Sequence, residues 1–218
     1  VFAQEYEASF QKTQGLVYKE FDRAKHLYDE LPQIFVDRTR LLLEDAKYEK
    51  VGGIDFGYRH PAVVLPAYFD SENLFIEDEW CKQEKTDAQL ADYVATCGFK
   101  AVYPDPENQN AIRELTDRRV NVREVNKGKG SVHAGIQAVR EMFIRGNLKI
   151  NKKCVNLIAN LEMYSYGDDD KENPIKENDD CADSLRYIVS SLLPLVTRRE
   201  IMRAMPYAPY KKSQNPAI

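Results

Sequence analysis

From residue 51 to residue 80 the apolar residues fall into three short runs separated by turn-formers, and from Thr86 onward their spacing switches to that of helices. Residues 51–56 carry Asp55 next to their end, residues 61–69 follow a Tyr-Arg-His turn, and residues 74–80 follow Asp-Ser-Glu-Asn. Three strands with such short connections predict an antiparallel meander. Thr86-Asp87-Ala88-Gln89 then forms a capping-box signature, with Leu90, Tyr93 and Val94 at helical spacing and Gly98 as a stop, which predicts a helix over 87–97. Residues 100–105 read as a fourth strand, 108–118 as a helix with Ile112 and Leu115 on one face, and 121–125 as a fifth strand. This alternation predicts parallel pairing with right-handed crossovers.

After the loop Lys127-Gly128-Lys129-Gly130, Ser131 is placed to cap a helix carrying Val132, Ile136, Val139, Met142 and Phe143, with Gly146 ending it. The order β-β-β-α-β-α-β-α predicts an α/β fold with a mixed five-stranded sheet flanked by helices. A further helix is expected at 155–163. An acid-rich hairpin turning at Asp168-Asp169-Asp170-Lys171-Glu172 comes next, and then a final apolar helix opening near Asp180. Residues 1–49, with a short strand at 15–18 and an apolar cluster at Leu41-Leu42-Leu43, read as a lead-in packing on a core of 50–195. Residues 196–218, basic and then proline-rich, read as a loosely held tail.

With 43% hydrophobic residues, 218 residues can bury a substantial core. The net charge of −4 excludes a globally basic nucleic-acid coat, so any contact with nucleic acid must use a local patch. Cys81, Cys97, Cys154 and Cys181 are widely separated, without a CxxC pair or a histidine at zinc spacing, which suits a reducing cytoplasm. No run long enough to span a membrane and no signal-peptide layout is present, and a start at Val rather than Met suggests a fragment of a longer protein.

The chemistry lies in carboxylates. Asp55 ends an otherwise apolar strand, where an unpaired carboxylate has a large desolvation cost, so a cation is expected nearby. Asp105 repeats the situation after Ala101-Val102-Tyr103, at the strand end where α/β sheets bind ligands. At the last helix start, Asn178-Asp179-Asp180-Cys181-Ala182-Asp183, one aspartate suffices as a cap. Asp180 and Asp183, three apart, repel unless a counter-charge is held between them, and Asp179, four from Asp183, can share their face. Mg²⁺ or Mn²⁺ supplies that charge, and four carboxylates from three segments can hold two ions, the arrangement suited to phosphodiester hydrolysis. His26, His60 and His133 lack partners for a triad, and Cys181, flanked by acids, reads as a small buried residue.

Gly53-Ile54-Asp55-Phe56-Gly57, Tyr103-Pro104-Asp105-Pro106-Glu107 and Asn178-Asp179-Asp180-Cys181-Ala182-Asp183-Ser184-Leu185-Arg186-Tyr187 together resemble the C-terminal nuclease domain of the large terminase subunit of tailed bacteriophages. That family belongs to the RNase H-like superfamily, with the Holliday-junction resolvases. The resemblance covers roughly residues 4–195. It implies an RNase H-like fold and a metal-dependent endonuclease that cuts concatemeric double-stranded viral DNA in the cytoplasm of the infected bacterium. It also implies two divalent cations bridged by Asp55, with Asp105, Asp180 and Asp183 completing the site. Partners so implied are the packaging ATPase domain, the small terminase subunit and the portal, with no membrane. Many relatives have histidine where Asp180 stands, and some use glutamate in the second motif, so Glu107 is a second candidate beside Asp105, and Asp179 beside Asp180.

Lys127 and Lys129, on a glycine-rich loop ahead of a helix, are candidate phosphate contacts. The same loop lacks the spacing of an ATP-binding phosphate loop, so this stretch is expected to cut DNA without hydrolysing ATP. Metals and lysines address phosphate rather than base edges, so little sequence preference is expected. The competing readings are a junction resolvase or another RNase H-like nuclease, and a non-catalytic DNA-binding module.

Overall fold

The computed structural model describes residues 15–31, 48–167, 173–177 and 179–204. The expected cluster at Leu41–Leu43, the turn at 168–172 and the end of the tail, 205–218, lie outside them.

The sheet forms around two adjacent apolar segments, β2 (Glu49–Asp55) and β3 (Ala62–Phe69), paired antiparallel from Glu49↔Phe69 to Asp55↔Val63. A tight turn joins them. At Gly57 a Cβ would lie 2.6 Å from the carbonyl oxygens of His60 and Pro61, so only glycine admits that approach. The third expected strand splits into β4 (Leu74–Ile76) and β5 (Trp80–Lys82), both on β3. Ala67 pairs Ile76 while Val64 pairs Trp80, which leaves one extra residue between them. The bulge sits opposite Pro66, which has no N–H to continue a ladder, and the Glu77 and Asp78 amides both turn to its carbonyl.

The helix α2 (Asp87–Thr96) opens on the expected Thr86/Gln89 capping box and leads to β6 (Ala101–Pro104), parallel to β2. The helix α3 (Gln109–Asp117) is capped by the Asn108 side chain. The expected fifth strand at 121–125 is instead an edge segment with a single bridge, Val122 to Val102. After Arg123 the chain leaves the edge, burying Val125 and carrying Lys127 back toward β6. Ser131 does not cap the helix α4 (Ser131–Arg145). Gly130, at φ 82°, occupies the cap position in a left-handed turn that L side chains rarely adopt, and Ser131 becomes the first helical residue. Gly146, at φ 74°, ends it as expected.

Two further strands make seven rather than five. β7 (Leu148–Asn151) runs parallel to β4, and β1 (Leu27–Tyr28), following the single turn α1 (Arg23–His26), runs parallel to β7. The order is β1-β7-β4-β3-β2-β6. The helix α5 (Val155–Met163) matches the expected range, and pairings of Tyr166 with Pro174 and of Ile175 with Ser165 form the base of the expected hairpin. The last helix, α6 (Asp180–Ala204), continues past the expected core limit at 195.

Helices cover both faces of the sheet. On one, Ile54, Val64 and Val102 pack on Leu90, Val94 and Leu115. On the other, Val51, Val63 and Leu65 meet α4, α5 and α6, and the α6 residues Leu185, Ile188, Val189 and Leu192 are buried at helical spacing. At about 2 kcal/mol for each such side chain, this stripe seats the acidic start of α6 against the sheet.

Candidate active site

β2 and β6 end side by side. Ile54 lies opposite Pro104, and the Asp105 N–H donates to the Ile54 carbonyl at 2.9 Å, so Asp55 and Asp105 leave neighbouring parallel strands at the same edge. The odd-numbered residues of β2 face α6. At Gly53 a Cβ would collide with the Ser184 carbonyl oxygen and the Ile188 side chain, so strand and helix touch backbone to backbone. Asp55, two residues on, shares that face and meets the first turn of α6, which carries Asp180 and Asp183. Asp179 precedes that turn, its carbonyl accepting from the Asp183 N–H at 2.7 Å. Three segments remote in sequence therefore bring their carboxylates to one place.

Charge is unevenly balanced there. The Asp55 carboxyl is pushed up to about 8, first by burial and then by the negative charge of Asp183, Asp105, Asp180 and Asp179. Burial and then neighbouring acids raise Asp179 and Asp180 as well, His60 acting in the opposite sense at Asp180. The cation expected beside Asp55 is not a side chain: the basic groups of the site go to Asp105 and Asp183, and among the described residues none pairs with Asp55. Lys127 Nζ binds Asp105 Oδ1 and Oδ2 at 2.8 and 2.9 Å and Glu107 Oε1 at 3.1 Å. Glu107 is otherwise exposed, and its backbone N–H donates to Asp105 Oδ1 at 2.9 Å. Lys129 stays exposed on the same loop.

Two supporting residues were present in the sequence without an assigned part. Arg186 Nη2 lies 2.8 Å from Asp183 Oδ2, and the Tyr187 hydroxyl donates to Asp105 Oδ2 at 3.1 Å. Consecutive residues of α6 thus hold one carboxylate of their own helix and one from the sheet. Burial opposes the Arg186 charge, yet Asp183 holds its pKa above the usual value. Its stem fits over α4 at Gly135, where a Cβ would lie 2.6 Å from Arg186 Cγ. The Asp183/Arg186 spacing of three on a helix was the available signal. Cys181 is buried, and its thiol is pushed up by a hydrogen bond with Cys81 and by burial, in keeping with a core residue. His26 is buried between the Asp22 N–H and the Phe143 carbonyl, and His133 is exposed on α4. His60 departs from the rest, lining a cleft of about 570 Å³ beside the acids with Tyr58, Arg59, Lys176, Asp179 and Asp180.

The candidate donors Asp55, Asp105, Asp180 and Asp183 are all carboxylates, which suits a hard cation such as Mg²⁺ or Mn²⁺. As the side chains stand, with Asp105 turned to Lys127 and Asp183 to Arg186, no three His, Cys, Asp or Glu among the described residues converge closely enough to grip an ion. Asp55, inward-facing and uncompensated, is the feature a bound cation would satisfy.

The profile of the family described as the terminase RNaseH-like domain matches residues 52–192. The chain belongs to that family. It is 26% identical over 202 residues to the large terminase subunit of Escherichia phage T5, covering 88% of this chain and 45% of that protein, so this terminase domain spans less than half the length of that relative. Its fold is similar to the nuclease domain of the P22 large terminase, with a TM-score of 0.64 at 18% identity over 81% of this chain and 92% of the other. It is also similar to the large terminase nuclease of thermophilic phage G20c with bound cobalt, with a TM-score of 0.61 at 15% identity over 81% and 97% of the two chains. The G20c nuclease is known with bound magnesium too.

Proposed function

We propose that this terminase domain is a divalent-metal-dependent endonuclease that hydrolyses the phosphodiester bonds of concatemeric double-stranded DNA during viral genome packaging. The observation that carries the reading is Asp55, an inward-facing carboxylate with no partner cation among the described residues, surrounded by Asp105, Asp180 and Asp183 from two other segments of the chain. Asp55, Asp105, Asp180 and Asp183 would hold two Mg²⁺ or Mn²⁺ ions, with Glu107 and Asp179 at the margin. The metals bound by the G20c nuclease support this choice of cofactor. When bound, the ions supply Lewis acidity and an activated water for the displacement at phosphorus.

The chain's own residues prepare that chemistry. Tyr187 and Arg186 fix the carboxylates of Asp105 and Asp183, so that little ordering remains to be done when substrate arrives. The apolar stripe of α6 excludes water from behind the acids. Lys129, on the exposed loop, and Arg59 and Lys176, along the cleft, offer positive charge to the phosphate backbone, which favours binding with little sequence preference. Its place of work would be the host cytoplasm, beside the packaging ATPase, the small subunit and the portal.

The test is Asp55→Asn in a Mn²⁺-dependent plasmid-nicking assay, with circular dichroism to verify the fold. Nicking is expected to fall by about a hundredfold to a thousandfold, the scale of losing a principal electrostatic stabiliser. A folded variant that nicks at the wild-type rate refutes the reading.

A further inference from the structure

Lys127 closes off the carboxylate of Asp105. Its ammonium bridges the two oxygens of Asp105 nearly symmetrically, at 2.8 and 2.9 Å, and its third contact is Glu107 at 3.1 Å. The remaining acceptor positions of Asp105 are filled by the Glu107 N–H on Oδ1 and the Tyr187 hydroxyl on Oδ2. A carboxylate has about four lone-pair sites, and Asp105 has committed all of them. No further cation can join without displacing a donor. Glu107 N–H is fixed by the turn after β6, and Tyr187 is buried in α6, so neither can leave cheaply. Lys127 can leave, because it is carried by the loop Asn126-Lys127-Gly128-Lys129-Gly130, exposed on either side of it, and its stem is flexible.

We propose that Lys127 is an exchangeable internal cation, occupying Asp105 in the ion-free domain and swinging out to solvent when a divalent ion binds. The proposal rests on the reading of the acids as a metal site and deepens it by assigning Lys127 a positioning part. Its geometry accounts for two observations together: Asp105 is fully bonded by groups of the chain itself, and among the described residues no basic group pairs with Asp55. Lys127 also lies 5.9 Å from the Tyr187 ring, which helps park the ammonium while it waits. Once released, it joins Lys129 on the exposed loop, so ion binding adds a positive charge to the face available to DNA phosphate. The device keeps Asp105 ordered and neutralised before the cofactor arrives and converts ion uptake into DNA affinity.

The experiment measures Mn²⁺ binding by electron paramagnetic resonance of the free ion, and the reactivity of Lys127 by acetylation and mass spectrometry, on the intact chain without DNA. Lys127→Met is expected to bind Mn²⁺ about tenfold more tightly than wild type, since neighbours of metal ligands shift affinity on that scale. In the wild-type protein, saturating Mn²⁺ is expected to raise Lys127 acetylation several-fold while leaving Lys153, which pairs with Glu77 away from the site, unchanged. Should Lys127→Met fail to fold, the labelling comparison decides alone. Unchanged or weaker Mn²⁺ affinity in a folded Lys127→Met, or protection of Lys127 that persists under saturating Mn²⁺, overturns the exchange. Asp55→Asn separates the two readings. If it binds Mn²⁺ as wild type does, the metal site itself falls, and the exchange with it; if it binds weakly while Lys127 of the wild-type protein stays protected under saturating Mn²⁺, only the exchange falls.

Discussion

The hydroxyl of Tyr187 donates to Oδ2 of Asp105 at 3.1 Å across 82 residues of sequence, tying the last helix to the end of β6. Burial, and then the negative charges of Asp183, Asp55 and Asp105, hold its proton on, so it serves as a donor throughout the working pH range. Tyr187→Phe keeps the ring and removes only this bond. It is expected to lower stability by about 1 kcal/mol, since Lys127 still satisfies Asp105, and to weaken Mn²⁺ affinity by about tenfold through loss of orientation. Urea denaturation and Mn²⁺ titration measure the two effects separately, and a loss of stability with unchanged affinity would make the bond purely structural.

Arg186 is the most buried cation of the site, and its bonds to Asp183 run in parallel, at 2.8 Å from Nη2 and 3.3 Å from Nε. Arg186→Met preserves much of the stem over Gly135 but leaves Asp183 without its counter-charge beside three other acids. The expected cost is about 3 kcal/mol in metal-free protein, because breaking one side of a buried pair strands the other charge. Added Mn²⁺ should recover part of it by supplying the missing positive charge, and thermal melts with and without the ion show this as a larger metal-induced shift in Tm than wild type gives. An equal shift in both proteins would mean that Asp183 stands apart from the ion.

The pattern that was legible and the pattern that was not differ for physical reasons. The capping box at Thr86, the stop at Gly146, the strand holding Asp55 and the strand ending just before Asp105 are local signals, each written within a few residues, and the structure has them. The split of the third strand depends on Pro66, which lies in a different strand and removes a donor from the ladder. The strands β1 and β7 are short, and their pairing joins residues more than a hundred positions apart, so neither periodicity nor turn chemistry announces them. At the site, the convergence of acids could be read from charge at a helix start. The commitments of Lys127 to Asp105 and of Arg186 to Asp183 required coordinates, because a basic residue in a sequence does not reveal which acid it meets.

Gly53 sets the distance between sheet and helix. Its missing side chain lets β2 approach the backbone of α6 at Ser184 and Ile188, the contact that brings Asp55 under Asp180 and Asp183. Gly53→Ala adds one methyl group where backbone stands in the way, so either the helix or the strand must move. The expected loss is about 3 kcal/mol in urea denaturation, the upper part of the range for overpacking, and nicking should fall with the displacement of the acids. Gly135→Ala meets the side chain of Arg186 rather than backbone, and is expected to cost less, about 1 kcal/mol. The reverse ranking would show that α6 does not rest on β2 as described.

The raised Asp55 carboxyl gives the metal-free domain a definite pH response. Its folded value of about 8 lies above the ordinary unfolded value of about 3.9, so between those limits the folded chain keeps a proton that the unfolded chain has released. Stability then falls as pH rises through that window, the slope following the excess of protons bound by the folded state. Asp179 and Asp180, raised in the same direction by burial and neighbouring acids, add to the fall over the lower part of the range. Asp55→Asn cannot titrate, so the wild-type stability minus that of the variant, in EDTA, should decline from pH 5 to pH 8 and flatten above it. Bound Mn²⁺ reverses the preference, since a coordinating carboxylate must be ionised. Ion uptake at pH 7 should therefore release about one proton from Asp55, seen by calorimetry in buffers of different ionisation enthalpy, and little or none at pH 9. Equal proton release at both pH values would place the titrating group elsewhere and remove Asp55 as the carboxylate that ion binding ionises.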